Sequence, residues 1–311
     1  MYNMDNPVLT RENWSYPINH VSHAGATVLH DGTTLLLCRV EGQRGESHFC
    51  AARSVNGMDD WCVDSGPTLV SEGANSSGRM RGIEVPRITY APELDEYLIA
   101  YTVITHSGPA VALARTGDFK KFEQYGIVMP PADTDAAILP YKIGGYWVML
   151  HRSVNMPSAH MWLSYSLDLK NWNKHVLIGG ECNGNRWNAN KINLLPPPIE
   201  TSEGWLMIYH EALQKGSDLF HRIGLALFDK DNPEICIKRA GAWIPDVEET
   251  SASSIAKLSA ALSCGHTIGT DGDAINLYYA GSDSSISVVT GSVSGLLSHL
   301  DQFSSQTKEI S

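Results

Sequence analysis

The chain has 311 residues, of which 43% are hydrophobic and 18% charged, with a formal net charge of −11. Such a chain can bury a substantial core as two domains or as one large β domain. Its acidic balance argues against general affinity for nucleic acid or for an anionic membrane surface.

The opening "MYNMDNPVLTREN" lacks the basic-then-apolar order of a secretory signal, and no apolar run reaches membrane-spanning length. A cytoplasmic protein is the expectation. The six cysteines, Cys38, Cys50, Cys62, Cys182, Cys236 and Cys264, form no close C-x-x-C pair. They read as reduced, mostly buried thiols, and no metal or other cofactor is expected.

One unit recurs along the chain: an apolar strand, a Gly-rich turn, a second apolar strand ending in polar groups, and a third strand leading to a polar bend. The first copy is "AGATVLHDGTTLLLCRVEG" with "SHFCAARSVNGMDDW", and the second is "VPRITYAPELDEYLIAYTVIT" with "PAVALARTGDFKKF". The third is "DAAILPYKIGGYWVMLHRS" with "HMWLSYSLDLKNW", and the fourth is "NKINLLPPPIETSEGWLMIYHEA" with "HRIGLALFDKDNP". The last is "KLSAALSCGHTIGTDGDAINLYYAGSD" with "SISVVTGSVSGLL". Turn signals such as "HDGT", "KIGG" and "TDGD" bound runs rich in β-branched and aromatic residues, and no long amphipathic helix is expected. The prediction is an all-β protein: a single five-bladed β-propeller over residues 1–311, with blades at roughly 22–62, 84–123, 135–177, 190–238 and 257–297. A β-sandwich is the competing architecture. The tail "SHLDQFSSQTKEIS" is expected to fray.

If the units are equivalent, their second strands end at Arg39, Thr102, Arg152, His210 and a small residue near Ala280, with Glu41, His106, Glu211 and Asp283 just beyond. Their first strands begin near His23, Val85, Asp135, Lys191 and Lys257. Strand ends on one face of a propeller converge on its axis. The expected cavity is therefore mixed, with cations at Arg39, Arg152, Lys191 and His210, joined by Arg222, and carboxylates at Asp135 and Asp283. Arginine and lysine bind phosphate, and carboxylates accept hydrogen bonds from sugar hydroxyls. The competing reading is a set of salt bridges between blades. Trp147, Trp162, Trp187 and Trp205 suit either sugar stacking or core packing. The turn acids Asp59, Asp60, Asp118 and Asp168 are poor catalytic candidates.

"RVEG", "GIEVPRITY", "DAAILPYKIGGYWVMLHR", "NKINLLPPPIETSEGWLMIYH", "HRIGLALFD" and "LYYAGSD" occur in this order and resemble the motifs of glycoside hydrolase family 130. That family comprises β-mannoside phosphorylases and some β-1,2-mannosidases on a five-bladed propeller, and the chain is also similar to trypanosomatid β-1,2-mannosyltransferase/phosphorylases. The resemblance implies phosphate binding by Arg152, Lys191 and His210, and mannose binding by Asp283. His221 falls where the phosphorylases usually carry tyrosine, and Thr134 falls where a basic residue usually precedes the aspartate matched by Asp135. Val85 falls where those enzymes place their general acid.

Loss of acid–base assistance typically slows a reaction about a hundred- to ten-thousandfold, so Val85 counts against cleavage of a glycosidic bond. A phosphate leaving group needs no proton, only positive charge to receive it. The sequence therefore reads as an inverting β-mannosyltransferase that uses GDP-mannose or mannose 1-phosphate as donor and a β-mannoside oligosaccharide as acceptor. Arg39 and His221 would join the phosphate site, Asp135 would be the base, and Glu41 and Glu84 would bind sugar beside Asp283. The alternatives are a phosphorylase or mannosidase with another acid, for which Glu211 is the suspect, and a mannan-binding propeller without catalysis.

Overall fold

The structure is a computed structural model that describes residues 2–3, 7–70, 80–153, 161–178, 181–182, 185–186, 191–215, 218–240, 264–281 and 283–304. The described chain is almost entirely β. Strands β1 (Tyr2–Asn3) and β2 (Leu9–Thr10) precede a first antiparallel meander of β3 (Ile18–Val28), β4 (Thr34–Gly42), β5 (Ser47–Ser54) and β6 (Cys62–Val63). A second meander contains β7 (Met80–Ala91), β8 (Glu96–Thr105), β9 (Gly108–Thr116) and β10 (Glu123–Ile127). The third contains β11 (Asp133–Ile138), β12 (Trp147–Ser153), β13 (Met161–Ser166) and β14 (Trp172–Ile178).

A short ribbon, β15 (Glu181–Cys182) and β16 (Asn185–Arg186), leads to the fourth meander: β17 (Lys191–Leu194), β18 (Ile199–Thr201), β19 (Gly204–Lys215), β20 (Asp218–Phe228) and β21 (Cys236–Ala240). The last comprises β22 (Cys264–Ile268), β23 (Ala274–Ala280) and β24 (Ser285–Ser292), and β1 and β2 add to its β24 edge.

The middle strands are continuous apolar runs because both of their faces are buried. On β4, Leu35 and Leu37 pack with Ile83, Ile99 and Tyr101 of the second meander, while Leu36, Cys38 and Val40 pack with Tyr278, Ile286 and Val288 of the last. Further apolar clusters join the second meander to the third, the third to the fourth and the fourth to the last. Together the five clusters make a cycle among the described residues, which is consistent with a propeller-type fold. Each fully buried Leu or Ile contributes ~1.5–3 kcal/mol.

The inner strands follow the same order, with β3 lying between β22 and β7, and β11 touching both β7 and β17. These approaches are close. Gly82 has φ +141°, and a Cβ there would stand 2.2 Å from the Ser47 hydroxyl, so only glycine allows the Ser47–Gly82 pairing that joins the first two meanders.

Turn chemistry at the bends repeats as well. Thr116 Oγ1 accepts the Phe119 N–H at 2.9 Å, and Asp118 and Asp168 each accept backbone N–H groups in their own bends. Their carboxylates serve the turns.

Two expectations change. Cys182 is bonded to Cys236 in a disulfide, so the set is not six reduced thiols. The partners are 54 residues apart in sequence and meet because β15 packs against β21. A disulfide also removes the cysteine-based reason for a reducing compartment. In addition, Val293–Ser304 forms a helix whose Val293, Leu296 and Leu300 are buried against the fourth and last sheets, so part of the tail expected to fray is anchored. No helix among the described residues is long and apolar enough to cross a membrane.

Candidate active site

The second strands end in register. Arg39 pairs with Ser22, Thr102 with Glu84, Arg152 with Thr134 and His210 with Asn193, so four units present the same row of side chains. Each inner strand of the first three units breaks register beside this row. The shifts fall between Ser22 and Ala24, Glu84 and Arg87, and Thr134 and Ala137.

The residue bulged out in each case lies in the left-handed region: His23 at φ 45°, Val85 at 54° and Asp135 at 54°. A β-bulge re-aims a side chain that strict alternation would send elsewhere. For valine this backbone conformation is strained, because the branched side chain crowds the following carbonyl.

Around the bulges the polar groups form a chain of contacts. Arg39 Nη2 lies 3.0 Å from Glu84 Oε1 and 3.3 Å from Glu41 Oε2, so these three predicted residues meet. Thr102 and Thr134 share a 2.9 Å hydrogen bond across the boundary between the second and third meanders. Arg152 donates to Asp135 Oδ2 from Nε at 3.0 Å and from Nη2 at 2.9 Å, and both residues are buried. His210 is buried and lies 3.4 Å from Asn193 Nδ2 through its Nδ1.

Arg87 lies on β7, in the "GIEVPRITY" stretch. It is 1% exposed and donates from Nη2 to the Leu194 carbonyl at 2.6 Å, tying the second inner strand to the fourth.

His23 stands among these groups. Its Nδ1 is shut off from solvent without a hydrogen-bond partner. Burial lowers its pKa from 6.5 to about 4, the charges of Arg39 and Arg87 push the same way, and Asp135 opposes them. The sequence places it near a strand start, but β3 begins at Ile18 and His23 lies in mid-strand, at the bulge that makes it equivalent to Val85 and Asp135.

Other predicted residues make contacts of their own. Asp283 is exposed on the turn before β24 and accepts from the Ser285 hydroxyl, while the neighbouring Ser284 bonds to His20. Glu211, the suspected substitute acid, is fully buried with Arg239 at 3.1 Å and pairs in register with core Ile192, one residue out of phase with His210.

The backbones of Lys191 and His221 both flank Ala212, but their side chains lie outside the described residues, as do the Arg222 side chain, Trp187 and Lys257. Trp147 and Trp205 are 2% exposed and belong to the core. No cluster able to hold a metal occurs among the described residues. A cavity of about 750 Å³ lined by Tyr146, Tyr165, Asn171 and Glu234 lies at the other end of the third meander, where Trp147 pairs with Ser166 and not where Arg152 pairs with Met161. It is separate from the polar row.

The all-β fold, with its meanders packed in cyclic order, thus sets cations on the second strands beside the carboxylate of an inner strand. The model of the β-1,4-mannooligosaccharide phosphorylase family matches residues 64–302, and the chain belongs to that family, glycoside hydrolase family 130. It is 31% identical over 212 residues to a 1,2-β-oligomannan phosphorylase of a Thermoanaerobacter species, spanning 67% of this chain and 68% of that one. It is 28% identical over 200 residues to a β-1,4-mannooligosaccharide phosphorylase of Ruminococcus albus, spanning 63% of this chain and 59% of the relative. Among solved structures, a β-1,2-mannobiose phosphorylase from Listeria innocua superposes with TM-score 0.77 at 22% identity, covering 96% of this chain and 99% of that one. The chain is thus related to enzymes that act on β-mannosides as phosphorylases. None of these relatives is a GDP-mannose transferase, so the sequence-based reading of a mannosyltransferase using GDP-mannose or mannose 1-phosphate gives way to its phosphorylase alternative.

Proposed function

We propose that this protein is an inverting β-mannoside phosphorylase: β-mannoside + phosphate ⇌ α-mannose 1-phosphate + shortened acceptor. The observation that carries the reading is the shared register of Arg39, Arg152 and His210 at the ends of three second strands, with Asp135 holding Arg152. Arg152 and His210, with Lys191 and His221, would bind phosphate, and Arg39 would orient the sugar together with Glu41 and Glu84. Asp283 would close the sugar site from its turn. The five meanders would be the blades of a five-bladed propeller. The cyclic order of their apolar clusters and the completion of the last sheet by β1 and β2 support this.

The chemistry follows from charge. As the C1–O bond to phosphate breaks in the synthetic direction, negative charge collects on phosphate oxygens, and fixed cations in a water-poor site stabilise it. Asp135 keeps the Arg152 guanidinium in one orientation, so no reorganisation is needed when that charge develops.

The test is incubation with β-1,2- or β-1,4-mannobiose plus inorganic phosphate, with mannose 1-phosphate plus acceptor, with GDP-mannose plus acceptor, or with buffer alone. The expected outcome is phosphate-dependent release of mannose 1-phosphate and elongation from mannose 1-phosphate only. Elongation from GDP-mannose alone, or free mannose in buffer, would overturn the reading. A second reading, a mannan-binding protein without turnover, is favoured by Val85 alone, and binding with no product in any arm would establish it.

A further inference from the structure

Val85 leaves the phosphorylase reading without a visible proton donor for the departing sugar alcohol. The inner strands of the first three meanders carry one bulge each at the same register, and these hold His23, Val85 and Asp135. Val85 has no proton to give. Asp135 is committed to Arg152 through two short contacts to one oxygen. His23 remains, and it is the one of the three whose side chain is titratable without an ion-pair partner.

We propose that His23 is the proton-transfer group of this site, acting from the bulge of the first inner strand in place of the acid missing from the second. The proposal rests on the phosphorylase reading and deepens it. The two bulges are neighbours: β3 packs along β7, and a Cβ placed on Gly25 would stand 2.8 Å from the Pro86 carbonyl, next to Val85. A group on β3 can therefore serve a bond positioned for a residue on β7.

Among the described residues neither ring nitrogen of His23 has a hydrogen bond, and Nδ1 alone is closed to solvent, which leaves Nε2 as the open atom. In phosphorolysis a phosphate oxygen supplies the electron pair for the new bond to C1. The C1–O bond to the aglycone breaks with its pair remaining on oxygen, and that oxygen takes the Nε2 proton of the His23 imidazolium. The neutral imidazole left behind recovers a proton from solvent or from the next dihydrogen phosphate. In synthesis the same nitrogen removes the proton of the acceptor hydroxyl.

The charged and titratable groups facing His23 are Arg39 on β4, Arg87 on β7, Asp135 on β11 and His20 on its own strand. Burial and the two arginines keep the free imidazole neutral near pH 7, which suits the base of the synthetic direction. An arriving phosphate offsets the arginines and favours the imidazolium.

The test uses the full chain and inorganic phosphate with two substrates, β-mannobiose and p-nitrophenyl β-mannoside, whose nitrophenolate leaves without a proton. His23→Ala and His23→Gln should lose about a hundred- to ten-thousandfold in kcat on mannobiose and less than about tenfold on the aryl mannoside. Wild-type phosphorolysis should slow as rising pH deprotonates the donating imidazolium, and both variants should lose that dependence. Val85→Asp in the His23→Ala background should restore part of the mannobiose rate. The aryl substrate reports whether each variant is still folded. Equal losses on both substrates, or no loss on either, would overturn the role of His23 while leaving the phosphorylase reading standing. A wild-type chain that turns over neither substrate with phosphate would overturn both.

Discussion

Val85 carries its anomaly in its backbone. At φ 54° a β-branched residue is about 1–2 kcal/mol worse than one that tolerates the left-handed region. Val85→Asn should therefore raise stability by about 1 kcal/mol in urea unfolding, because asparagine accepts that conformation through its short polar side chain. A neutral or destabilised variant would mean that packing of the valine methyls offsets the strain. The alignment of His23, Val85 and Asp135 is legible from repeat spacing, although the strands they are expected to open begin earlier, at Ile18, Met80 and Asp133. Their shared bulge is not legible, because left-handed φ values at His, Val and Asp have no signature as clear as glycine. Arg87 follows the same logic: its sequence context marks a strand, but only the fold supplies the Leu194 carbonyl that it bonds.

At the scale of elements, the third meander is crossed by a polar relay that is buried at His151 and Ser164 and reaches solvent at His175. Ser164 Oγ lies 2.7 Å from His151 Nε2 and 2.7 Å from His175 Nδ1, so the relay's hydrogen bonds cross β12 to β14, and His151 Nδ1 stands 3.5 Å from Asp133 of β11 without a hydrogen bond. Ser164→Ala should destabilise the protein by about 1–3 kcal/mol, because it deprives the buried His151 of a partner that water cannot replace. Denaturant titration measures this, and an unchanged midpoint would show that the relay carries no net stability.

Strands are legible here because runs such as "TLLLCRV" and "YLIAYTV" are apolar throughout. The helix Val293–Ser304 is less so: a short segment with serine, aspartate and glutamine resembles a polar tail until Leu296 and Leu300 find the fourth and last sheets. The Cys182–Cys236 bond is illegible for a related reason, since 54 residues separate partners that only the packing of two edges brings together.

For the whole molecule, the N-terminal strands finish the last sheet. Tyr2 and Asn3 pair with Thr290 and Val289, Leu9 pairs with Ile286, and Leu9 is fully buried between the first and last meanders. A chain beginning at Arg11 loses the burial of Leu9, worth ~1.5–3 kcal/mol, and exposes the β24 edge to other chains. Its melting temperature should fall by roughly 5 °C, with aggregation rising in light scattering. An unchanged melting temperature would show that the ring closes without these strands.

The sequence by itself determined the all-β class, the recurrence of stranded units and the family, because apolar periodicity, turn residues and local motifs are written in contiguous residues. Tertiary structure alone decided which of those polar groups meet. It joined Arg39 to Glu84 and Asp135 to Arg152, turned Glu211 toward Arg239, kept Asp283 on an exposed turn and set His23 beside the strand of Val85. Those outcomes depend on bulges and on contacts between meanders. Both arise when separate sheets pack around a common centre.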